Sequence, residues 1–539
     1  MSPHHRLLGL PRLRIPMQYR TVLGLVLLSL VSTNEALRLL VTFPMISRSH
    51  SILGHGVVNR LLEAGHEVVH ITSFPRKKPT PKLTEIDVSA IGVEFKNLTE
   101  ENEDFKLKNM IGAANIGDTF FFAYFTYILH KKVLEEPNVL KFLSDPNEKF
   151  DAVVQEWFFS EINVGIPPLF ECPLIWVCST ESHWQALRLM DEVPNPAYTV
   201  DLFSSTRPPL TFWQRTSGLY KILKHVILID TLVTFFEKRV YYSVYPEIAA
   251  KRGVTLPSYS DAVYNASLML VNSHPSIGGS IKLPQNVKNI GGYHIDTDVK
   301  PLPKDLQKLM DGAKHGVIYF SMGSNVKSDG MSEEMKRSLL DMFSKYKQEV
   351  IWKFESNMTN IPANVHLVTW APQPSILNHP NLKLFITHGG QLSTTEALHY
   401  GVPLVGIPVM ADQHLNMKSV ESKGFGIYVT LAEDMIPELD AAIKKIVTDS
   451  TYRNKAKELS RIYHDRPMAP GVELAYWVEH VVQTRGAPHL QSPARDVPLY
   501  QRFFLDLAAC LAVLVVLLRI AVKYLLSLRS KSKPKKKTN

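Results

Sequence analysis

The chain is expected to fold as two α/β units built on parallel sheets, and three stretches carry that expectation. Residues 37–72 run as an apolar strand, a loop, a helical stretch closed by Gly65 and a second strand. That βαβ order calls for a parallel sheet. After a Gly- and Pro-punctuated stretch at 275–303 the strand–helix alternation resumes, which places a domain junction near residues 280–300. Between Trp370 and Gln413 a β-rich run at 382–387 breaks off into His388-Gly389-Gly390 before a helical pattern starts. With 539 residues and 45% hydrophobic composition there is material for two or three cores.

The N-terminal end reads as a secretory signal. Arginines precede an apolar run at 21–31, and Asn34-Glu35-Ala36 offers a cleavage point before Leu37. Met17 is an alternative start that would shorten the leader. The run is short for a membrane span. The net charge of +9 sits at the ends: residues 1–34 contribute +4 and residues 503–539 contribute +7, leaving the body at about −2. A body without basic excess has nothing to pair with nucleic acid.

In the N-terminal half, His50 stands just beyond the carboxyl end of the first strand, where doubly wound sheets place functional groups. His55, in the helix, and His66 and His70, in the second strand, are rivals with poorer placement. The aromatic run at 120–130 reads as a packed helix that also lines an apolar cleft. Residues 182–252 lose the βα regularity, and 202–244 mix aromatic and aliphatic residues with Arg and Lys. Helices covering the apolar cleft and touching a membrane surface fit that composition; so does core packing. Cys172 and Cys178 lie in a strand-like stretch and Cys510 near the C-terminus, so three cysteines make neither a disulfide scaffold nor a zinc spacing. Asn97, Asn265 and Asn357 head glycosylation sequons.

In the C-terminal half a strand at 316–321 ends in the small-residue turn Ser321-Met322-Gly323-Ser324. Helix, strand and strand follow up to Trp370. The strand–Gly-Gly–helix turn at 388–390 offers free N–H groups and a helix dipole to a phosphate. A further strand at 403–408 leads to Asp412-Gln413, side chains suited to sugar hydroxyls, while Trp370 offers an aromatic face to a base. Helical patterns then run at 439–447, 452–463 and 472–484.

Residues 503–526 are apolar apart from Asp506, Arg519 and Lys523, which makes a single span if the two cations snorkel. The basic tail keeps the cytosolic side and leaves the body in the lumen. The final Lys536-Lys537-Thr538-Asn539 resembles the dilysine retrieval signal of endoplasmic reticulum membrane proteins.

The ordered set Trp370, Gln373, His388, Gly390, Ser393, Glu396, Pro403, Asp412 and Gln413 resembles the signature of the UDP-glycosyltransferase family, and the resemblance extends over the chain from Leu37 to the tail. It implies the GT-B fold: α/β, two Rossmann-like domains around a cleft, plus a C-terminal transmembrane helix. The implied division is a signal peptide at 1–36, an acceptor-binding domain at 37–285, a UDP-sugar-binding domain at 286–485, a stalk at 486–502, the span at 503–526 and a basic tail at 527–539.

The resemblance also implies roles. Trp370 would stack on uracil and Glu396 hold the ribose; His388 and residues 389–393 would take the diphosphate. Ser321, Gly323 and Ser324 would face the phosphates across the cleft, while Asp412 and Gln413 would hold the sugar. Ser47-Arg48-Ser49-His50 resembles the segment that carries the general base. The base's acidic partner aligns with Glu156, a departure from the vertebrate Asp that insect members share; Asp151 is the runner-up. Transfer would invert the anomeric carbon without a metal or cofactor, the UDP-sugar being a co-substrate and the other partner a small lipophilic hydroxyl compound. Insect-like features favour glucose as the donor sugar, with glucuronate as the alternative. A UDP-sugar-binding pseudo-enzyme, a single-pass receptor and a retaining enzyme remain rival readings, and a homo- or hetero-oligomer stays open.

Overall fold

A computed structural model describes residues 36–100, 107–111, 119–199, 201–296, 298–324 and 327–531. The signal peptide, the dilysine tail and the side chain of Asn97 fall outside what is described.

Among the described residues, thirteen strands make two sheets. The first has seven strands: β1 (Arg38–Phe43), β2 (Glu67–Thr72), β3 (Leu83–Asp87), β4 (Ala152–Trp157), β5 (Leu174–Cys178), β6 (Leu268–Val271) and β7 (Val287–Asn289). Their order is β3-β2-β1-β4-β5-β6-β7, and every ladder is parallel. The second has six: β8 (Val317–Ser321), β9 (Glu349–Lys353), β10 (Val365–Val368), β11 (Leu382–Thr387), β12 (Leu404–Gly406) and β13 (Gly426–Tyr428). Their order, β10-β9-β8-β11-β12-β13, repeats the same winding, again wholly parallel.

Central strands are buried on both faces, so they read as continuous apolar runs rather than alternating ones. Leu39, Leu40 and Val41 of β1 and Leu384, Phe385 and Ile386 of β11 are fully buried. The edge strands β3, β7 and β13 are short or carry polar, partly exposed residues, which is why they leave no signal in the sequence.

Each winding direction reverses once, between β1 and β4 in the first sheet and between β8 and β11 in the second. Loops leaving those two strand pairs splay apart and open a crevice. The helix after β1 starts at Arg48 rather than at Ser51, so His50 lies in its first turn and not in the preceding loop. Helix Gln391–Tyr400 follows β11, with Gly390 as its N-cap and Gly401, at φ +66°, closing it.

Helix Pro470–Gln483 returns from the second sheet to the first. Its Leu474, Val478 and Val481 are buried in one cluster with β1, β4 and the helix Arg48–Glu63, and His66 faces Glu479 at 3.1 Å. The described residues end in helix Leu505–Lys531, whose stretch Leu505–Arg529 is long and apolar enough to cross a membrane. It runs about five residues past the expected end at 526.

Candidate active site

The two switch points face each other across a cleft of about 1670 Å³, larger than the ~300–1,000 Å³ that holds one small ligand. Two substrates fit such a volume. His50, Ser321, Gly323, Ser324, Trp370, Gln373, His388, Gly390, Ser393, Glu396, Asp412 and Gln413 all line it. Glu156 does not; it sits behind His50 at the end of β4, with its side chain fully buried.

On the first-domain wall, His50 Nδ1 hydrogen-bonds Glu156 Oε1, and Ser179, just after β5, donates its hydroxyl to the same oxygen. Burial pulls the His50 pKa down, but the Glu156 charge, its hydrogen bond and the more distant Asp412 more than offset this, and the net shift is upward. With Nδ1 directed to Glu156, Nε2 is the ring nitrogen available to a substrate. His130, buried nearby, is pushed down to about 4 by desolvation, with His50 adding to the effect. The rival histidines lie elsewhere. His55 contacts the Phe74 carbonyl at 3.1 Å, His66 meets Glu479, and His70 is buried beside Glu85. Asp151 is at the opposite end of β4, where its Oδ2 accepts the Arg38 amide at 2.7 Å.

On the second-domain wall the geometry is set by glycines. A Cβ on Gly323, at φ +87°, would stand 2.5 Å from His388 Cε1, and one on Gly390 would stand 2.6 Å from His388 Nε2. The imidazole therefore lies between two backbone turns that approach it closely only because neither bears a side chain. Desolvation, aided by the Lys353 charge, lowers His388 to about 4, so the ring is neutral near pH 7. Lys353 Nζ donates to the Gly323 carbonyl at 2.9 Å and to Glu355 at 2.7 Å. The helix after Gly390 has no capping side chain, and its first-turn amides point toward the cleft end of the helix axis.

Gln373 ties this wall together. Its Nε2 donates to Glu396 Oε2 at 2.8 Å and to Ser393 Oγ at 3.3 Å, while Tyr319 donates to its Oε1 at 3.3 Å. Glu396 Oε1 lies 3.6 Å from Nε2 of the buried His294. Trp370 is 60% exposed, with the Arg48 guanidinium 5.8 Å above its ring from across the cleft.

Asp412 follows Ala411, which is held at φ +55°, a backbone strain of the kind found at functional loops. Burial raises the Asp412 carboxyl to about 6 despite a 2.8 Å hydrogen bond from Asn416. Gln413 accepts the Val409 and Met410 amides with Oε1 at 2.8 and 3.0 Å. That oxygen fixes the loop, and Nε2 is the part of the side chain left to donate.

Sequence reading missed Ser179, His294, Lys353 and Arg48. Arg48 lies inside the quoted segment Ser47-Arg48-Ser49-His50 but was given no role; the others depend on which loops the fold brings together. Among the described residues one group could hold a metal ion, His55, His70 and Glu85, whose ligand atoms lie within 4.8 Å of one another. It sits between the helix Arg48–Glu63 and strands β2 and β3, away from the cleft lining. Of the sequons, Asn265 and Asn357 are exposed.

Two doubly wound domains meeting over such a cleft define the GT-B class of glycosyltransferases. Solved structures agree on the fold. A UDP-glucosyltransferase from Polygonum tinctorium has a TM-score of 0.54 at 15% identity, with 84% of this chain and 100% of that one covered. The calicheamicin glycosyltransferase CalG4 has 0.52 at 15%, covering 84% and 100%.

The particular family follows from the sequence comparisons: residues 38–538 match the UDP-glucoronosyl and UDP-glucosyl transferase family, and the chain belongs to it. It is similar to UDP-glucosyltransferase 2 of Dactylopius coccus, 31% identical over 94% of this chain and 96% of that protein. It is also similar to human UDP-glucuronosyltransferase 2B7, 28% identical over 85% and 87%.

Proposed function

We propose that this UDP-glycosyltransferase moves a hexose, glucose first, from its UDP-sugar to a hydroxyl of a small lipophilic acceptor, inverting the anomeric carbon. The observation that supports this reading best is the His50–Glu156 pair, oriented toward the same cleft as the residues matched to the donor site. His50 Nε2 takes the acceptor proton as the new oxygen–carbon bond forms at the anomeric centre. The bond to UDP breaks on the opposite side. Negative charge growing on the diphosphate meets the first-turn amides of helix Gln391–Tyr400 and neutral His388. Trp370 stacks on uracil, Glu396 and Gln373 hold ribose, Ser321, Gly323 and Ser324 face the phosphates, and Asp412 with Gln413 holds the sugar. No metal or cofactor enters this scheme.

Phe121, Phe122, Phe158 and Phe203 line the first-domain side of the cleft, which supports an apolar acceptor such as a phenol, flavonoid or steroid, and a role in conjugation and detoxification. The proposed setting is the endoplasmic reticulum membrane. The signal is removed, residues 37–285 and 286–485 are luminal, Asn97, Asn265 and Asn357 are open to glycosylation, and residues 486–502 form the stalk to the span. The donor of the human relative's name, glucuronate, is the second reading, while the Dactylopius relative's name supports glucose.

The test uses membranes carrying the protein or its His50→Ala variant, with radiolabelled UDP-glucose or UDP-glucuronate and a panel of phenols, flavonoids and steroids. Transfer from one donor, falling by about 10²–10⁴-fold in the variant, is expected. UDP binding with no transfer from either donor would instead make the chain a pseudo-enzyme. Transfer that survives in excess EDTA, with the opposite anomeric configuration in the product, checks the metal-independent, inverting chemistry.

A further inference from the structure

His70 shares a side of β2 with Val68, the side packed on the aliphatic residues of helix Arg48–Glu63. It is fully buried, and neither ring nitrogen has a hydrogen-bond partner. Its register partner on β3 is Glu85, whose Oε1 is likewise buried and unpartnered. From His70 Nδ1 to that oxygen is 3.6 Å, too far for a hydrogen bond. His55 reaches them from the helix, its ring centroid 5.7 Å from that of His70. Ligand atoms of all three residues lie within 4.8 Å of one another. Polar atoms buried without partners are rare in a folded protein and call for an occupant.

The spacing suits one small cation. A tetrahedral zinc ion with bonds near 2.0–2.1 Å holds its ligand atoms about 3.4 Å apart. The gap between His70 and Glu85 is already close to that, and a turn of the half-buried His55 ring closes the set. Burial holds both histidines below their ordinary pKa, His55 at about 4 with His70 and Arg76 adding to the effect. Both rings are therefore neutral near pH 7, the form in which imidazole binds a metal. Two imidazoles and a carboxylate are a zinc donor set, with a fourth position left for water. Arg76 is the neighbour that opposes a cation, its Nε 3.9 Å from Glu85 Oε1. It is the Arg76 amide, however, that donates to Glu85 Oε2 at 2.7 Å, while the guanidinium donates to Asn59 at 2.8 Å. Oε1 is left facing His70.

We propose that His55, His70 and Glu85 bind a zinc ion that staples β2 and the edge strand β3 to helix Arg48–Glu63. The same helix carries His50 in its first turn. The loop after β2 brings Phe74 into the cleft lining, with the Arg48 guanidinium 4.9 Å above its ring. Pinning this edge of the sheet steadies the wall beside His50. The ion is structural and touches no substrate.

The test uses the full-length protein in detergent, stripped with a chelator and dialysed against zinc, with bound metal counted by atomic emission. The parent should hold a zinc ion that raises its unfolding temperature, and cobalt(II) in its place should give the strong visible absorption of a tetrahedral site. His55→Gln and Glu85→Gln should each lose that absorption. Zinc affinity should fall in both by more than the ~10–100-fold that removing a partner behind a ligand costs. Circular dichroism of each variant in metal-free buffer separates a lost ligand from a lost fold. His480→Gln is the control, because His480 and His489 lie 3.0 Å apart on the surface and form a rival zinc pair; it should keep the ion. Zinc that is lost in His480→Gln, or kept in His55→Gln and Glu85→Gln, would overturn the inference. So would a parent that binds none, which would leave Glu85 to Arg76. Transfer in excess EDTA, measured below the unfolding temperature of the metal-free protein, should continue. Transfer that stops there and returns with zinc would put the metal in the chemistry and overturn its structural assignment.

Discussion

At the scale of single residues, the site sets two buried carboxylates, Glu156 and Asp412, to act on one imidazole. Glu156 is fully buried and hydrogen-bonded by His50 and Ser179, and its charge is the main reason the His50 pKa lies above its ordinary value. The base must be neutral to accept a proton. Glu156→Gln keeps an acceptor for Nδ1 but removes the charge, so the acid limb of kcat/KM against pH should move to lower pH while the plateau falls. An unmoved limb would show that another group controls it.

Asp412 makes an opposite kind of statement. Its folded pKa of about 6 exceeds the ordinary value near 3.9, so the folded state binds the extra proton. Stability is then present at low pH and lost as pH rises toward and through 6. Asp412→Asn should be more stable than the parent at pH 7.5 by about 3 kcal/mol, read as a higher unfolding temperature, with most of the difference gone near pH 4. Sugar transfer should suffer in the same variant, a trade of stability for function.

At the scale of elements, the donor wall depends on close approach between turns. Gly390 has φ −62°, a conformation any residue can adopt, so Gly390→Ala tests the cradle without backbone strain. Its methyl group collides with His388 Nε2, and the imidazole must move. KM for the UDP-sugar should rise about tenfold, the cost of one charge-assisted hydrogen bond, with thermal stability little changed. Helix Pro470–Gln483 is the element that binds the two sheets into one body. Leu474→Ala should cost about 2–5 kcal/mol and, although it follows the second sheet in the chain, should speed amide exchange in β1 and β4 of the first.

At the scale of the whole molecule, the two sheets share one winding order, and each presents its reversal to the other. That repetition makes a single cleft from two separate switch points, the place where loop residues gain function on a rigid frame. The first-domain side carries the His50–Glu156 pair and the aromatic wall; the second-domain side carries the glycine turns and the helix start. Arg207, paired with Glu181, reaches the Leu415 carbonyl, and Gln391 reaches the Asn272 carbonyl at 2.8 Å, so the walls are held in register beside the cleft.

The sequence by itself determined what is local or periodic. The apolar runs of β1, β4, β8 and β11, the glycine turn at 388–390 and the apolar C-terminal helix could all be read because burial on both faces, φ-demanding turns and lipid contact each impose a composition. The second-domain wall residues from Trp370 to Gln413 sit within 44 positions of one another, so a single stretch of chain announces them. The tertiary structure alone decided what depends on distant segments. Ser179 completes the Glu156 pair from β5, His294 meets Glu396 from the linker, and Asp412 acts on His50 across the cleft. Edge strands such as β3 were silent because half-exposed polar residues carry no strand signature. The apolar residues at 202–244 left two readings open, helices on a membrane surface or core packing, since hydrophobicity along a chain records that a residue needs cover but not what covers it.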